Sequence, residues 1–379
     1  MIDRLAEALT AVRRTEAERI TAGMLEEGFV GIAGEALVGK TLLTRRVAAW
    51  LTHQEMARVV EVDMVGVYSL PKLVARWRHA VFRAAVGHVA ASEVAALDRD
   101  FWSSTTERAM LTAREMFGDE LEPALTEQPR KGERPRDLAG PIELTTRLAR
   151  NQGNPCVLVL DHLQAPLLTH RHPINPRDVL WQIRAAAQHI PNLHVAVVCQ
   201  LGAEDLAADS KAAFYGDGTW LKIAAPTPAH WSQAALDVGT VIDPAWVTLA
   251  REHVPTVLAM LHAREAGIQD LREAFRTVAN SQHEHAARCL LHASSLHRLG
   301  AHVLTSIANG DGPYAGAPEA RSDDIAAAVG QLRLAGMIRR APDDDRGWIL
   351  VDPTIQWLLA DAMNVRAEEP LPTFSRVAV

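Results

Sequence analysis

The sequence predicts an α/β protein: a parallel sheet covered by helices, then a helical stretch, then a C-terminal helix–hairpin module. Three observations carry this. The apolar run Phe29-Val30-Gly31-Ile32-Ala33 passes through a glycine-bounded loop into an amphipathic helix that opens at Lys40. Further apolar runs alternate with helical periodicity as far as Ile223, the pattern of strands buried on both faces. Beyond Ile223 the strand signals stop until a short hairpin pattern near the C-terminus.

Each element follows from spacing. Leu5, Leu9, Val12 and Ile20 predict one helix over 2–27, ended by Gly28. Leu43, Val47 and Leu51 recur every four residues and predict a helix from Lys40 to Gln54, followed by a strand over Arg58–Asp63. Trp77, Val81, Leu97, Met110 and Phe117 lie on a helical pattern from Pro71 to Gly118. Pro123, Pro129, Pro135 and Pro141 break a polar stretch over 119–141, which reads as a mobile loop. A helix over Ile142–Asn151 precedes Cys156–Leu160, five consecutive apolar residues that run into Asp161. A helix over Asn175–Ile190 and a strand over Leu193–Cys199, ending at Gln200, complete the alternation. Thr227–Ile268 and Leu271–His292 read as helical. The order of helices Leu296–Asn309 and Ser322–Ala335, then Gly336–Arg340, a turn at Pro342–Arg346 and Trp348–Val351, suits a helix-turn-helix closed by a β-hairpin wing. Residues from Arg366 form a polar, proline-containing tail.

Composition sets the class. The chain has 379 residues, 48% hydrophobic and 22% charged, which excludes disorder over most of its length and suits two or three domains. No run of about 18 uncharged apolar residues appears, and the charged N-terminus lacks a signal-peptide core, so a cytoplasmic protein without a membrane span is expected. Cys156, Cys199 and Cys289 are widely spaced and read as reduced thiols. The net charge of −7 disfavours a role dominated by phosphate-backbone contacts. Of 39 basic residues only five are lysines, so each lysine invites a reason.

Lys40 has one. Gly34-Glu35-Ala36-Leu37-Val38-Gly39-Lys40-Thr41 matches G-x-x-x-x-G-K-[ST] without deviation. The glycines let the backbone curl so that successive N–H groups, on to Leu42, face a phosphate. Lys40 brings a point charge to the β- and γ-phosphates, Thr41 offers a hydroxyl to Mg²⁺, and the helix N-terminus adds positive potential. Together with the strand–loop–helix context, this predicts a P-loop NTPase αβα core that binds ATP and Mg²⁺. Such a site needs an acidic group at a neighbouring strand end. Asp161 has that form, and Glu61 and Asp63 are rivals on a less apolar strand. His162, Gln164 and Gln200 follow strand ends and are candidates to orient an attacking water, with plain loop and capping roles as alternatives.

These motifs in this order resemble the AAA+/STAND superfamily, in particular the archaeal-type branch related to origin-recognition and transposition ATP-binding proteins. Ala213-Phe214-Tyr215-Gly216-Asp217 with the following Trp220–Ile223 is similar to that branch's Phe-Tyr-Gly-Arg segment, and Leu334–Arg339 with Val351-Asp352-Pro353 resembles its winged-helix end. The resemblance implies a nucleotide domain over 1–224 with a helical insertion at about 71–150, a helical lid over 225–288, a winged helix over 289–365 and a tail over 366–379. It also exposes departures. Many such ATPases follow the strand-end aspartate with glutamate, where this chain has His162, so binding is better supported than rapid hydrolysis. The branch's arginine after Tyr-Gly is Asp217 here, with Lys211 and Lys222 nearby. Glu252–Thr256 corresponds loosely to the lid's sensor segment and lacks its arginine, leaving Arg251 or Arg264 to serve.

Over 290–379 eight arginines face eleven acidic residues, including Asp323 and Asp324 on the helix expected to serve for recognition and Asp343–Asp345 at the wing tip. Those carboxylates would repel a phosphate backbone, although Arg339, Arg340 and Arg346 form a local basic edge. Three functions follow as expectations: a switch ATPase with slow turnover that engages a protein partner or its own copies, with ATP between core and lid; a DNA-associated ATPase of replication, transposition or mobile-element defence; and a non-hydrolysing nucleotide-bound scaffold.

Overall fold

A computed structural model describes residues 2–85, 138–151, 154–168, 174–190, 192–200, 211–315, 319–341 and 344–363. The predicted helical positions Leu97, Met110 and Phe117 and most of the 119–141 loop lie outside these residues. The chain divides into two compact units: Arg14–Gly34 with Gly39–Ile223, and Met1–Arg13 with Glu35–Val38 and Ala224–Val379.

The first unit is built on strands β1 (Phe29–Gly34), β2 (Arg58–Asp63), β3 (Cys156–Asp161), β4 (Leu193–Gln200) and β5 (Thr219–Ile223). They form one parallel sheet in the order β2-β3-β4-β1-β5. Every residue of β1 and β3 is buried, which is why both are continuous apolar runs. β2 and β5 are the sheet's edges, and each keeps polar residues on its less buried positions. Helices α2 (Arg14–Glu26), α3 (Lys40–His53), α4 (Leu70–Ala85), α5 (Ala139–Asn151) and α6 (Pro176–Ala187) accompany it. α2 packs on β1 and β4, while α4 packs on β2 and α5. Trp77 of α4 is fully buried and donates its indole N–H to Thr145 Oγ1 of α5 at 2.9 Å. Gly31 is required by a close approach, since a Cβ there would sit 2.4 Å from the Trp220 ring on β5.

The second unit is helical: α1 (Ile2–Ala11), α7 (Pro228–Asp237), α8 (Pro244–Leu249), α9 (Val254–Glu265), α10 (Leu271–Asn280), α11 (His283–Leu296), α12 (Gly300–Ala308), α13 (Ser322–Leu334) and α14 (Pro353–Met363), with the antiparallel hairpin β6 (Ile338–Ala341) and β7 (Asp344–Leu350). The single helix expected over 2–27 is therefore two. α1 packs on α7 and α9, whereas α2 packs under the sheet, and the break at Val12–Arg13 lets the two segments join different units. The Thr227–Ile268 stretch also divides, into α7, α8 and α9. Each opens with proline at its first or second position, after the caps Thr227, Asp243 and His253. Arg251 and Glu252, both left-handed at φ 48° and 59°, turn the chain between α8 and α9. α14 was not expected. Its start is set by Asp352, whose Oδ1 accepts from the Thr354 N–H at 2.8 Å and the Thr354 hydroxyl at 2.7 Å.

Burial decides the thiol chemistry. Cys156 and Cys199 are buried, and burial pushes the Cys156 thiol up to about 12 against the opposing pull of Arg58. Cys289 is half-buried, and burial and the Asp352 carboxylate raise its pKa as well. In the native protein at pH 8, a thiol-reactive disulfide dye is expected to label Cys289 slowly and leave the other two untouched. All three thiols should react at once in guanidinium. Rapid labelling of Cys156 in native protein would contradict the packing of β3.

Candidate functional site

The glycine loop sits where β1 ends and α3 begins. Leu37 and Gly39 both have positive φ, 61° and 90°, so the backbone reverses its curl twice within three residues. Alternation of this kind is the backbone pattern that can turn successive N–H groups to one side as an anion-binding concavity. Leu37 is the surprising member, because a left-handed conformation costs a branched residue roughly 1–2 kcal/mol. Its side chain is 55% exposed and Leu42 is 53% exposed, so neither contributes core packing in return. Strain held at a loop of this kind is a mark of functional geometry. Gly39 caps α3 without a side-chain hydrogen bond. Lys40, only 8% exposed, donates from Nζ to the Gly34 carbonyl at 2.9 Å, folding over the loop it follows.

β3 brings the acidic partner. The Thr41 hydroxyl donates to Asp161 Oδ1 at 3.2 Å across 120 residues of sequence. Asp161 is 2% exposed, and burial pushes its carboxyl above the usual range, against the pull of His162 and Thr41. The rivals are placed too. Glu61 accepts from Arg45 Nε at 2.5 Å, tying β2 to α3. Asp63 pairs in register with Asp161 on the adjacent strand, so the two carboxylates end neighbouring strands side by side.

His162 lies between them. Its φ is 56°, its N–H donates to Asp161 Oδ1 at 2.9 Å, and its ring Nδ1 lies 3.2 Å from Asp63 Oδ1 and 3.4 Å from Asp161 Oδ1. The Asp63 hydrogen bond raises the His162 pKa, with help from both carboxylates and against burial and the Lys40 charge. Burial opposes the ionisation of Asp63, but the His162 hydrogen bond, the Val65 N–H and the Arg76 charge hold its carboxyl below the ordinary value. The residue standing where a glutamate is expected is thus clasped by two acids. Asp63's place in that clasp was not foreseen. The signal available was that both strands end in aspartate and both precede a break in the apolar pattern.

Gln164 is buried and accepts from the Gln200 backbone N–H at 3.3 Å, joining the loop after β3 to the end of β4. β4 separates β1 from β3, so Gln200 ends the strand between the phosphate loop and Asp161. At the branch's arginine position, Asp217 instead forms an ion pair with Arg184, whose guanidinium lies 5.7 Å from the Phe214 ring centre. The two sensor candidates belong to the second unit. Arg251 donates to Gln356 Oε1 at 2.5 Å, and burial beside Arg339 lowers its pKa to about 10. Arg264 lies 5.7 Å from the Trp246 ring centre and donates to the Val241 carbonyl at 3.3 Å.

The donor set fits a magnesium ion. Among the described residues no three His, Cys, Asp or Glu side chains are grouped to hold a metal by themselves. Mg²⁺ needs none, because it keeps several waters and takes one or two protein oxygens beside substrate phosphates. A hydroxyl against a buried carboxylate, beside the glycine loop, offers such a pair of oxygens. No helix among the described residues is long and apolar enough to cross a membrane.

No protein-family profile matches the chain, and no curated protein matches it in sequence. Solved structures do match. A Walker-type ATPase of Pyrococcus abyssi is 13% identical, with 92% of this chain and 95% of that chain covered and a TM-score of 0.58. The ORC2 protein of Aeropyrum pernix, in ADPNP–ADP complexes, is 13% identical over 95% of this chain and 94% of its own, with a TM-score of 0.45. The ORC1 protein of the same organism, in complex with DNA, is 15% identical over 93% of each chain, with a TM-score of 0.43. Identity this low speaks to fold alone, and it is the Pyrococcus protein that carries it. The chain has the α/β fold of a P-loop ATPase, with a five-stranded parallel sheet and the phosphate loop at the end of β1.

Proposed function

We propose that this protein is an AAA+/STAND-type switch ATPase that binds ATP with Mg²⁺, hydrolyses it slowly and passes the nucleotide state to its C-terminal module. One observation carries the reading: the Thr41 hydroxyl meets the buried Asp161 carboxylate beside the Lys40 loop. Lys40 and the loop N–H groups of 34–42 would hold phosphate, and Thr41 and Asp161 would hold the metal. Bound Mg²⁺ supplies positive charge that neutralises the phosphates. A cation there also relieves the cost of an ionised, buried Asp161.

Slow turnover follows from His162. Its ring is engaged by Asp63 and its N–H by Asp161, so both hold the histidine in place instead of leaving an unencumbered carboxylate to activate water. The C-terminal helices α12 and α13 followed by the β6–β7 hairpin suit a winged helix, and a partner protein or a second copy suits its acidic surface better than DNA does. Arg340 lies over the Trp348 ring at 4.0 Å, and Arg339 donates to the Arg251 carbonyl at 3.3 Å, so part of the expected basic edge is used within the unit. A switch requires the nucleotide to favour one arrangement of this module over another. A cytoplasmic location agrees with reduced thiols.

The test is ATP turnover with and without duplex DNA. Turnover well below about 1 s⁻¹, the low end of enzyme rates, is expected, with no stimulation by DNA. Asp161→Asn should lower ATP affinity in Mg²⁺ by about tenfold or more while changing the affinity in EDTA little, read by calorimetry in each buffer. Stimulation by DNA would move the protein to the DNA-associated class. Tight binding without any turnover would make it a scaffold. A wild-type protein that shows no nucleotide-dependent thermal shift would overturn the reading.

A further inference from the structure

Arg13 and Arg14 are adjacent, yet they do opposite things. Arg14 is exposed and donates to Glu18 at 2.7 Å on the surface of α2. Arg13 is 2% exposed. Its Nη1 donates to the Val38 carbonyl at 2.6 Å and its Nη2 to the Ala224 carbonyl at 2.8 Å. Val38 is inside the phosphate loop, and Ala224 is the first residue after β5. Arg13, the loop segment Glu35–Val38 and Ala224 all belong to the same compact unit.

The consequence lies in the peptide between Val38 and Gly39. A trans peptide is planar, and its C=O and N–H point in opposite directions. With the Val38 carbonyl held by Arg13, the Gly39 N–H must face away from the guanidinium. Gly39 itself does not enforce this, because glycine occupies positive and negative φ about equally well. Leu37, two residues before it, is in a strained left-handed conformation. A flip of the Val38–Gly39 peptide would present a carbonyl oxygen to an anion where an N–H should be.

We infer that Arg13 is a positioning residue for the phosphate loop: it fixes the Val38–Gly39 peptide so that the Gly39 N–H is offered to nucleotide phosphate. The role rests on the nucleotide-binding reading above. It adds a loop-setting group from outside the motif, 21 residues before the loop's first glycine in the sequence. Because the same guanidinium holds Ala224, the setting of the loop is tied to the chain's exit from β5. A change in the backbone at Ala224 would loosen Val38 as well.

The test uses full-length Arg13→Lys and Arg13→Ala, with ATP dissociation constants measured by calorimetry well below each variant's melting temperature. Arg13→Ala should bind ATP at least about tenfold more weakly, the loss expected for a charge-assisted hydrogen bond that sets a receptor. Lysine, which cannot span two carbonyls in a planar fork, should be intermediate. Millimolar guanidinium chloride should restore part of the alanine variant's affinity, and sodium chloride at equal ionic strength should not. A packing role alone would lower the melting temperature without that selective rescue. If the alanine variant does not fold, Arg13→Lys decides the matter alone. Wild-type protein that binds ATP, with Arg13→Lys binding within about twofold of it, overturns the Arg13 role and leaves the site reading intact. Wild-type protein that binds no ATP overturns both.

Discussion

Lys40→Ala is expected to abolish the nucleotide-dependent thermal shift and to weaken ATP binding by about a hundredfold or more, the scale of a lost charge-assisted phosphate contact in a partly dry site. The side chain is nearly buried and its ammonium is held 2.9 Å from the Gly34 carbonyl, so it lies over the loop. Little side-chain freedom remains to be lost on binding, which makes the contact more effective than a lysine recruited from solvent. The measurement is a pair of melting curves with and without Mg-ATP. Wild type at a hundredfold excess over its dissociation constant should gain about 2.7 kcal/mol, and the variant should gain almost nothing. An unchanged shift in the variant would remove the loop from the binding site.

Gly218→Ala, at the entry to the edge strand β5, should be strongly damaging although the residue is exposed. Gly218 has φ +80°, and a Cβ there would lie 1.8 Å from the Phe29 carbonyl oxygen. Neither problem can be relieved by turning a side chain, because the obstacle is the backbone of β1. Phe29 is itself fixed by stacking on Phe214 with ring centres 4.5 Å apart. A positive-φ penalty and a displaced strand pair together should cost about 3 kcal/mol or more, visible as a large loss in urea midpoint or as insoluble protein. Gly216→Ala is the control. Its φ is +76° but no atom lies within 4 Å of the added methyl, so only the conformational cost of about 1 kcal/mol applies. Equal effects from the two would mean that β5 does not approach β1 as described.

These positions show what could be read from the chain directly. The strand–loop–helix at 29–53, the β3 strand ending in Asp161 and the order of later strands all follow from apolar runs and glycine spacing, because a parallel sheet buried on both faces leaves no polar alternation to confuse. The pairing of Thr41 with Asp161 was legible because the loop motif demands a carboxylate and β3 is the most apolar strand. The Asp63–His162 contact was not, since it depends on β2 lying next to β3, and strand adjacency is not written in local pattern. Nor was the break between α1 and α2. Their heptad-like spacing is continuous, and only the packing of α1 with α7 and α9 separates them. Asp217 showed that an arginine was missing from its usual place, but not that it would pair with Arg184.

The strand order has a consequence for synthesis on the ribosome. β1 emerges before every other strand of its sheet, yet its two neighbours are β4 and β5, with Phe29 opposite Val195 and Val30 opposite Thr219. At about 5–20 residues per second, β1 waits roughly 8–30 s for a partner. During that time a fully apolar strand has both edges open, which makes it a target for chaperones and for other nascent chains. The second unit waits longer still. It includes residues 1–13 and 35–38, made before β2, but completes itself only from 224 onward. Neither unit can close in the order in which it is made, because each draws on segments that lie apart in the sequence.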